Sequence, residues 1–169
     1  FDIIFVINQI EKHKDDFLRK SECLVYESLN DCLSEKPDIG LITNVTSLHT
    51  DTAIKLARSN CHLLIEKPIS HSVKNIKKLL KILEKNNSIT LMGCNLRFHP
   101  CIKKIRDLIL KKKIGNVISA RVENGSYLPD WHPKEDYRLS YAARKDLGGG
   151  VLLTMIHELD YLIWFFGEV

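Results

Sequence analysis

His62-Leu63-Leu64-Ile65-Glu66-Lys67-Pro68 is the stretch on which the fold turns. A short apolar run ends in a charged pair and a proline, and similar runs occupy residues 1–7, 39–43 and 89–93. Each has the length of a buried strand rather than a helix. Between them lie helical patterns: residues 51–59, then Val73, Ile76, Leu79, Leu80 and Leu83 at 3.6 spacing behind a candidate cap at Ser72. Alternation of apolar strands with amphipathic helices predicts βαβ units and a parallel sheet covered on both faces.

In such a sheet, ligands bind beyond the carboxyl ends of the strands. The polar residues just past the strands are therefore the first candidates for a site: Asn44-Val45-Thr46-Ser47-Leu48-His49, Glu66-Lys67-Pro68 and Cys94-Asn95-Leu96-Arg97. Pro68 keeps Lys67 out of the α region and could hold a cis bond that directs the lysine side chain. Alone, a lysine before a proline at a strand end reads as a plain surface turn.

After Arg97 the texture changes, and a second domain is expected to begin near Asn95. A helix carries Ile102, Ile105, Leu108 and Ile109, Gly115 stops it, and residues 117–122 read as a strand. Residues 125–145 are polar and aromatic without a period, as in a long functional loop. Gly148-Gly149-Gly150 then opens an apolar helix over residues 151–166, in which Thr154, His157 and Asp160 or Tyr161 share one face. Polar groups on a mostly buried helix cost stability unless they are hydrogen-bonded or face a cavity, which makes that stripe the second candidate.

Composition removes several classes. The chain has 169 residues, 44% hydrophobic and 27% charged, which is ordinary for a globular protein. No apolar run approaches the roughly 20 residues a bilayer span needs, so no membrane association is expected. The net charge of +4 comes mainly from lysines scattered over helices. They read as solvated faces, and no basic stripe with interleaved aromatics points to nucleic acid. The five cysteines are Cys23, Cys32, Cys61, Cys94 and Cys101; they are odd in number and form no Cys-x-x-Cys pair. Reduced thiols in a cytoplasmic protein are the expectation. His157-Glu158-Leu159-Asp160 has the outline of a zinc-binding helix, but Tyr161 stands where the second histidine is required, so no metal is expected.

Taken in order, Lys36-Pro37-Asp38, Thr46-Ser47-Leu48-His49, Glu66-Lys67-Pro68, Asn95-Leu96-Arg97-Phe98 and Gly148-Gly149-Gly150 followed by His157 and Asp160 resemble the Gfo/Idh/MocA family of oxidoreductases. The resemblance implies an α/β fold: an incomplete Rossmann-type parallel sheet domain over residues 1–94, then the start of an open-sheet α/β domain over residues 95–169. It also implies NAD or NADP as cofactor, a sugar, polyol or sugar derivative as substrate, and a homo-oligomer at full length. Lys67 would be the catalytic acid/base, with His157 contacting the carbinol and Asp160 orienting its ring. Asn8, Asn44, Thr46, Ser47, His49, Glu66, Lys67, Asn95, Trp131 and Arg138 would line or close the cofactor site. Residues 125–133 further resemble members linked to acidic-sugar pathways.

Two departures accompany the resemblance. The family's Gly-x-Gly-x-x-Gly turn, which cradles pyrophosphate at a helix N-terminus, is nowhere in the sequence. Residues 1–7 resemble the family's second strand, so a first βα unit carrying that turn is expected within roughly 30 residues upstream. Thr154 stands where many members carry Asp, which leaves proton handling to Lys67 and His157. The alternative is a non-catalytic sensor on the same fold.

Overall fold

A computed structural model describes residues 4–6 and 24–167. Asn8 lies outside the described residues. Strands β1 (Ile4–Val6) and β2 (Leu24–Tyr26) pair in parallel. A second parallel sheet has the order β3 (Ile39–Ile42), β4 (His62–Ile65), β5 (Thr90–Met92), with Ile42 opposite Ile65 and Ile65 opposite Met92. Parallel neighbours need a crossover, supplied by helices α2 (His49–Arg58) and α3 (Ile76–Lys85). A shorter helix, α1 (Leu29–Ser34), is capped by the Ser28 hydroxyl, which accepts from the Asn30 amide at 3.2 Å.

Period-two alternation decides which strand residues enter the core. Gly40, Ile42, Leu63 and Ile65 are buried against the helices, while Ile39, Leu41 and His62 point the other way and stay exposed. The helices answer with Ala53, Ile54, Leu56 and Ala57 from α2 and Leu79 and Leu83 from α3. Ala53 and Ala57 follow one another by a turn, and small residues there let α2 lie close to the sheet. Gly40 has the same function from the strand side, since a Cβ on it would stand 2.7 Å from Leu56 Cδ1. Leu29 and Leu33 of α1 pack against this core as well.

Beyond β5 come α4 (Pro100–Leu110), α5 (Val151–Thr154) and α6 (His157–Phe166). Pro100 sits in the first turn of α4, where its missing amide costs nothing. Residues 128–147 form a chain of short 3-10 turns instead of a helix or strand.

Two local expectations are corrected. Residues 117–122 form no strand: Ile118 is 99% exposed, and no described neighbour accepts their backbone groups, without which strand propensity has nothing to satisfy. The helix expected over residues 151–166 is broken at Met155 and Ile156 into α5 and α6. No single helix among the described residues is long and apolar enough to cross a membrane.

The core assignment is testable by urea denaturation. Leu79→Ala, at a side chain with no exposed area, lowers the unfolding free energy by about 2–5 kcal/mol. Val73→Ala, at a residue that was expected in the same helical stripe but lies before α3, whose N-cap is Asn75 and not Ser72, and is 92% exposed, changes it by less than about 0.5 kcal/mol.

Candidate functional site

Three parallel strands bring their carboxyl ends to one edge of the sheet, and the loops there are fastened to one another through His49. Its ring is buried, 1% exposed, with Nδ1 2.8 Å from the Pro68 carbonyl oxygen and Nε2 2.8 Å from the Asn44 carbonyl oxygen. The loop after β3 is thereby tied to the turn after β4. Thr50 adds a 3.4 Å bond from its hydroxyl to the Ile69 carbonyl. In that turn the Lys67-Pro68 peptide is cis. Glu66 Oε2 accepts from the Lys67 amide at 3.2 Å, and Gly93 leaves room for the carboxylate: a Cβ there would come within 3.0 Å of Glu66 Oε1.

The second half of the chain reaches this edge through its triglycine. Gly148 has φ +83°, and a Cβ on it would stand 2.7 Å from Thr46 Cβ. Gly149 is pressed against the carbonyls of Tyr141 and Ala142, leaving no space for any side chain. Backbone bonds from Gly149 to Arg144 and from Gly150 to Ala142, each 2.9 Å, complete the seam. Helix α5 starts there and ends at Thr154, whose carbonyl accepts from Lys67 Nζ at 2.9 Å. A cation is well placed at a helix C-terminal carbonyl.

Thr154 and the start of the helix that follows it also carry polar atoms that the protein itself does not satisfy. Thr154 is 8% exposed, and its Oγ1, together with His157 Nδ1 and Glu158 Oε2, is buried without a hydrogen-bond partner among the described residues. Such groups are costly unless something polar meets them. Burial holds the His157 pKa below the ordinary imidazole value, and the nearby Lys67 charge lowers it further, against weaker opposition from Glu158, Asp160 and Glu66. Lys67, Thr154 and His157 thus form one constellation, with Glu66 at its margin.

Other expected residues are placed differently. Asp160 does not orient the His157 ring: Arg97 Nε donates to its Oδ2 at 2.8 Å and Arg97 Nη2 to its Oδ1 at 2.6 Å. Arg138 does not close over Lys67, because its guanidinium is exposed and held by Asp136, two residues away. Trp131 donates its indole N–H to Ser126. The His49 ring sets one nitrogen against a carbonyl of each loop, donating to one of them in either neutral tautomer, so it positions the site instead of facing a ligand. Asn44 donates to Thr52 at 3.1 Å, Asn95 is exposed, Ser47 is half-buried and Thr46 is buried under Gly148. The Thr154 carbonyl and Glu158 were not singled out as site groups from the sequence, and Arg97 was named there without its partner. Arg97 stood in a recognised motif, but its partner is 63 residues away and no local spacing announces it.

The residues present fit the nicotinamide end of a dinucleotide. Gly93 and Glu66 border the strand-end edge, and the unpartnered Thr154 and His157 atoms lie beside Lys67. Ser47, Glu66 and Asn95 are accessible at this edge to a dinucleotide, whereas Thr46 is buried under Gly148. The dinucleotide's pyrophosphate would find no glycine-rich cradle among these residues.

Comparison with known proteins agrees with this arrangement. Residues 1–94 match the family model described as an oxidoreductase family with an NAD-binding Rossmann fold, and residues 102–169 match the family's C-terminal domain. The chain is 28% identical over 156 residues to 2,7-anhydro-N-acetylneuraminate hydratase of Escherichia coli, covering 92% of this chain and 41% of that protein. It is 28% identical over 138 residues to levoglucosan dehydrogenase of Pseudarthrobacter phenanthrenivorans, covering 79% and 35%. A solved levoglucosan dehydrogenase in complex with NADH and levoglucosan superposes with a TM-score of 0.80 at 22% identity, over 98% of this chain and 45% of that one. The chain thus spans less than half the length of the relatives it matches. With both family models matched in order along a parallel α/β sheet, the chain belongs to the Gfo/Idh/MocA family of NAD-binding oxidoreductases.

Proposed function

We propose that this protein moves a hydride between the carbinol carbon of a sugar, polyol or sugar derivative and NAD or NADP. The observation that carries the reading is Lys67 Nζ seated on the Thr154 carbonyl beside the buried, unpartnered Thr154 Oγ1 and His157 Nδ1. The names of the relatives, an anhydro-N-acetylneuraminate hydratase and a levoglucosan dehydrogenase, support a carbohydrate substrate. We further propose that residues 1–94 serve the cofactor and residues 95–169 the substrate and contacts between subunits.

Oxidation of a carbinol loses a hydride from carbon and a proton from oxygen. The bound nicotinamide ring supplies the hydride acceptor. Lys67 in its amine form takes the hydroxyl proton, with the Thr154 carbonyl fixing the direction of Nζ. Thr154 Oγ1 and His157 Nδ1 hydrogen-bond the substrate and so hold the reacting hydroxyl toward Lys67. A threonine hydroxyl cannot serve as base, so Thr154 orients and Lys67 moves the proton. In the reverse direction Lys67 returns the proton to the carbonyl oxygen.

Thr154 in place of an acid also favours a second reading, a binding protein that holds cofactor and sugar without turnover. Titration with reduced nicotinamide followed by a sugar panel separates the two, since tight cofactor binding with no sugar oxidised favours the binding protein.

In steady-state assays with candidate sugars, Lys67→Ala lowers kcat by about 100-fold or more, the range for loss of a positioned acid/base group, and changes KM less. An unchanged rate removes Lys67 from that role. The His157 environment gives a separate readout. Its folded pKa is depressed below the unfolded value of about 6.5, so the unfolded chain binds the proton first. The stability from the neutral ring is full above about pH 6.5 and is lost as pH falls through the lower, folded value. Followed by NMR, His157 titrates below an ordinary histidine, and Lys67→Met moves its midpoint upward by removing the neighbouring charge.

A further inference from the structure

Most arginines among the described residues meet a carboxylate: Arg97 with Asp160, Arg121 with Glu123, Arg138 with Asp136 and Arg144 with Asp146. One group of cations does not. Helices α2 and α3 pack together, and their outer surfaces border a shallow, open groove of about 460 Å³ lined by Arg58, Lys77, Lys78, Lys81 and Ile82. It continues into a second hollow of about 350 Å³, which Lys85 joins. No carboxylate lines either hollow, and Arg58, Lys77, Lys78, Lys81 and Lys85 have no ion-pair partner among the described residues.

Part of this charge has an ordinary reason. Arg58 and Lys85 lie in the last turns of their helices, where cations offset the negative end of the dipole. Lys77 and Lys78 have no such reason. They lie in the first turn of α3, which carries no acidic residue, so the helix dipole opposes them. Lys77, Lys81 and Lys85 also repeat every four residues and stack like charges along one edge of the helix, an arrangement that destabilises an isolated helix. Solubility alone would be served by mixed charges. A concave, single-sign surface held against these costs is what a multiply charged anion requires.

The groove also narrows the choice of occupant. It has no aromatic ring on which a base could stack. Its one apolar side chain, Ile82, is half-buried and offers nothing to insert into a membrane. From Lys77 to Lys85 it extends about 12 Å, the rise of eight helical residues. Among the described residues a second copy of the chain presents no matching acidic run: Asp136, beside Glu135, is already taken by Arg138.

We propose that the groove between α2 and α3 is a second binding site, which takes a compact polyphosphate, free or as the phosphate chain of a small ester. It is separate from the Lys67 site. Both helices return antiparallel to the strands, so its Arg58 and Lys85 end lies toward the amino ends of the sheet, opposite the edge where Lys67 stands, and none of its lining residues belongs to that site. Ammonium and guanidinium groups spaced a turn apart would meet successive phosphates with charge-assisted hydrogen bonds.

Calorimetric titration of the protein with sodium tripolyphosphate at constant ionic strength, repeated with adenosine triphosphate, tests this. The expected result is saturable binding that K77E/K81E weakens by about ten-fold or more, while K104E/K113E changes it by less than about two-fold. The second pair makes the same change in net charge at exposed lysines on and after α4. Tighter binding of tripolyphosphate assigns the free anion, and equal or tighter binding of the triphosphate ester assigns the ester. No saturable binding overturns the proposal, as does equal weakening in both variants. Tighter binding of a single-stranded oligonucleotide or an acidic peptide than of tripolyphosphate also overturns it. Circular dichroism of each variant separates loss of binding from loss of fold.

Discussion

The 2.9 Å bond from Lys67 Nζ to the Thr154 carbonyl spans 87 residues of sequence, and the rest of the site is arranged around it. A lysine on a strand end carries three donors on a flexible stem, and without an acceptor it samples water. Here one donor is spent on the last carbonyl of a short helix, on the residue whose Oγ1 is itself unpartnered. The charge this brings near His157, together with burial, keeps the imidazole neutral to lower pH than usual.

That bond needs both of its ends held. On the strand side His49 clamps the loops after β3 and β4 by their carbonyls, and Gly93 yields the space that Glu66 occupies. On the helix side the triglycine packs directly on Tyr141, Ala142 and Thr46, so α5 enters the site at a defined height. Arg97 then joins the loop after β5 to α6 through Asp160, and its guanidinium lies over Trp164, as does that of Arg106. These contacts are polar and directional. They set the register between the two halves, whereas the apolar core under β3, β4 and β5 stabilises the first half alone.

The sequence made some of this legible and hid the rest for physical reasons. Strands β3, β4 and β5 and the helices between them follow from local periodicity, because burial on one face writes itself into neighbouring residues. Lys67, His157 and the triglycine were legible as motifs, and the matched family models agree with the family that those motifs indicated. Asp160 was assigned to His157 on helical spacing, yet a guanidinium from a distant turn offers it a bidentate partner and wins. Arg138 was expected over the site, but Asp136 two residues away captures it at no cost in chain closure. Residues 117–122 show the converse limit: strand propensity without a neighbouring strand leaves Ile118 in solvent. The lysines of α3 looked like a solvated face in one dimension, and only packing against α2 gathers them with Arg58 into one groove.

The central claim is that Lys67, Thr154 and His157 meet a substrate hydroxyl as one unit. An X-ray structure of the protein with a bound polyol tests it most directly. The account predicts Lys67 Nζ still on the Thr154 carbonyl at about the 2.9 Å seen here, with one polyol hydroxyl in hydrogen-bond reach of Lys67 Nζ, Thr154 Oγ1 and His157 Nδ1. A Lys67 side chain turned to solvent, or a polyol bound away from these three groups, would contradict it.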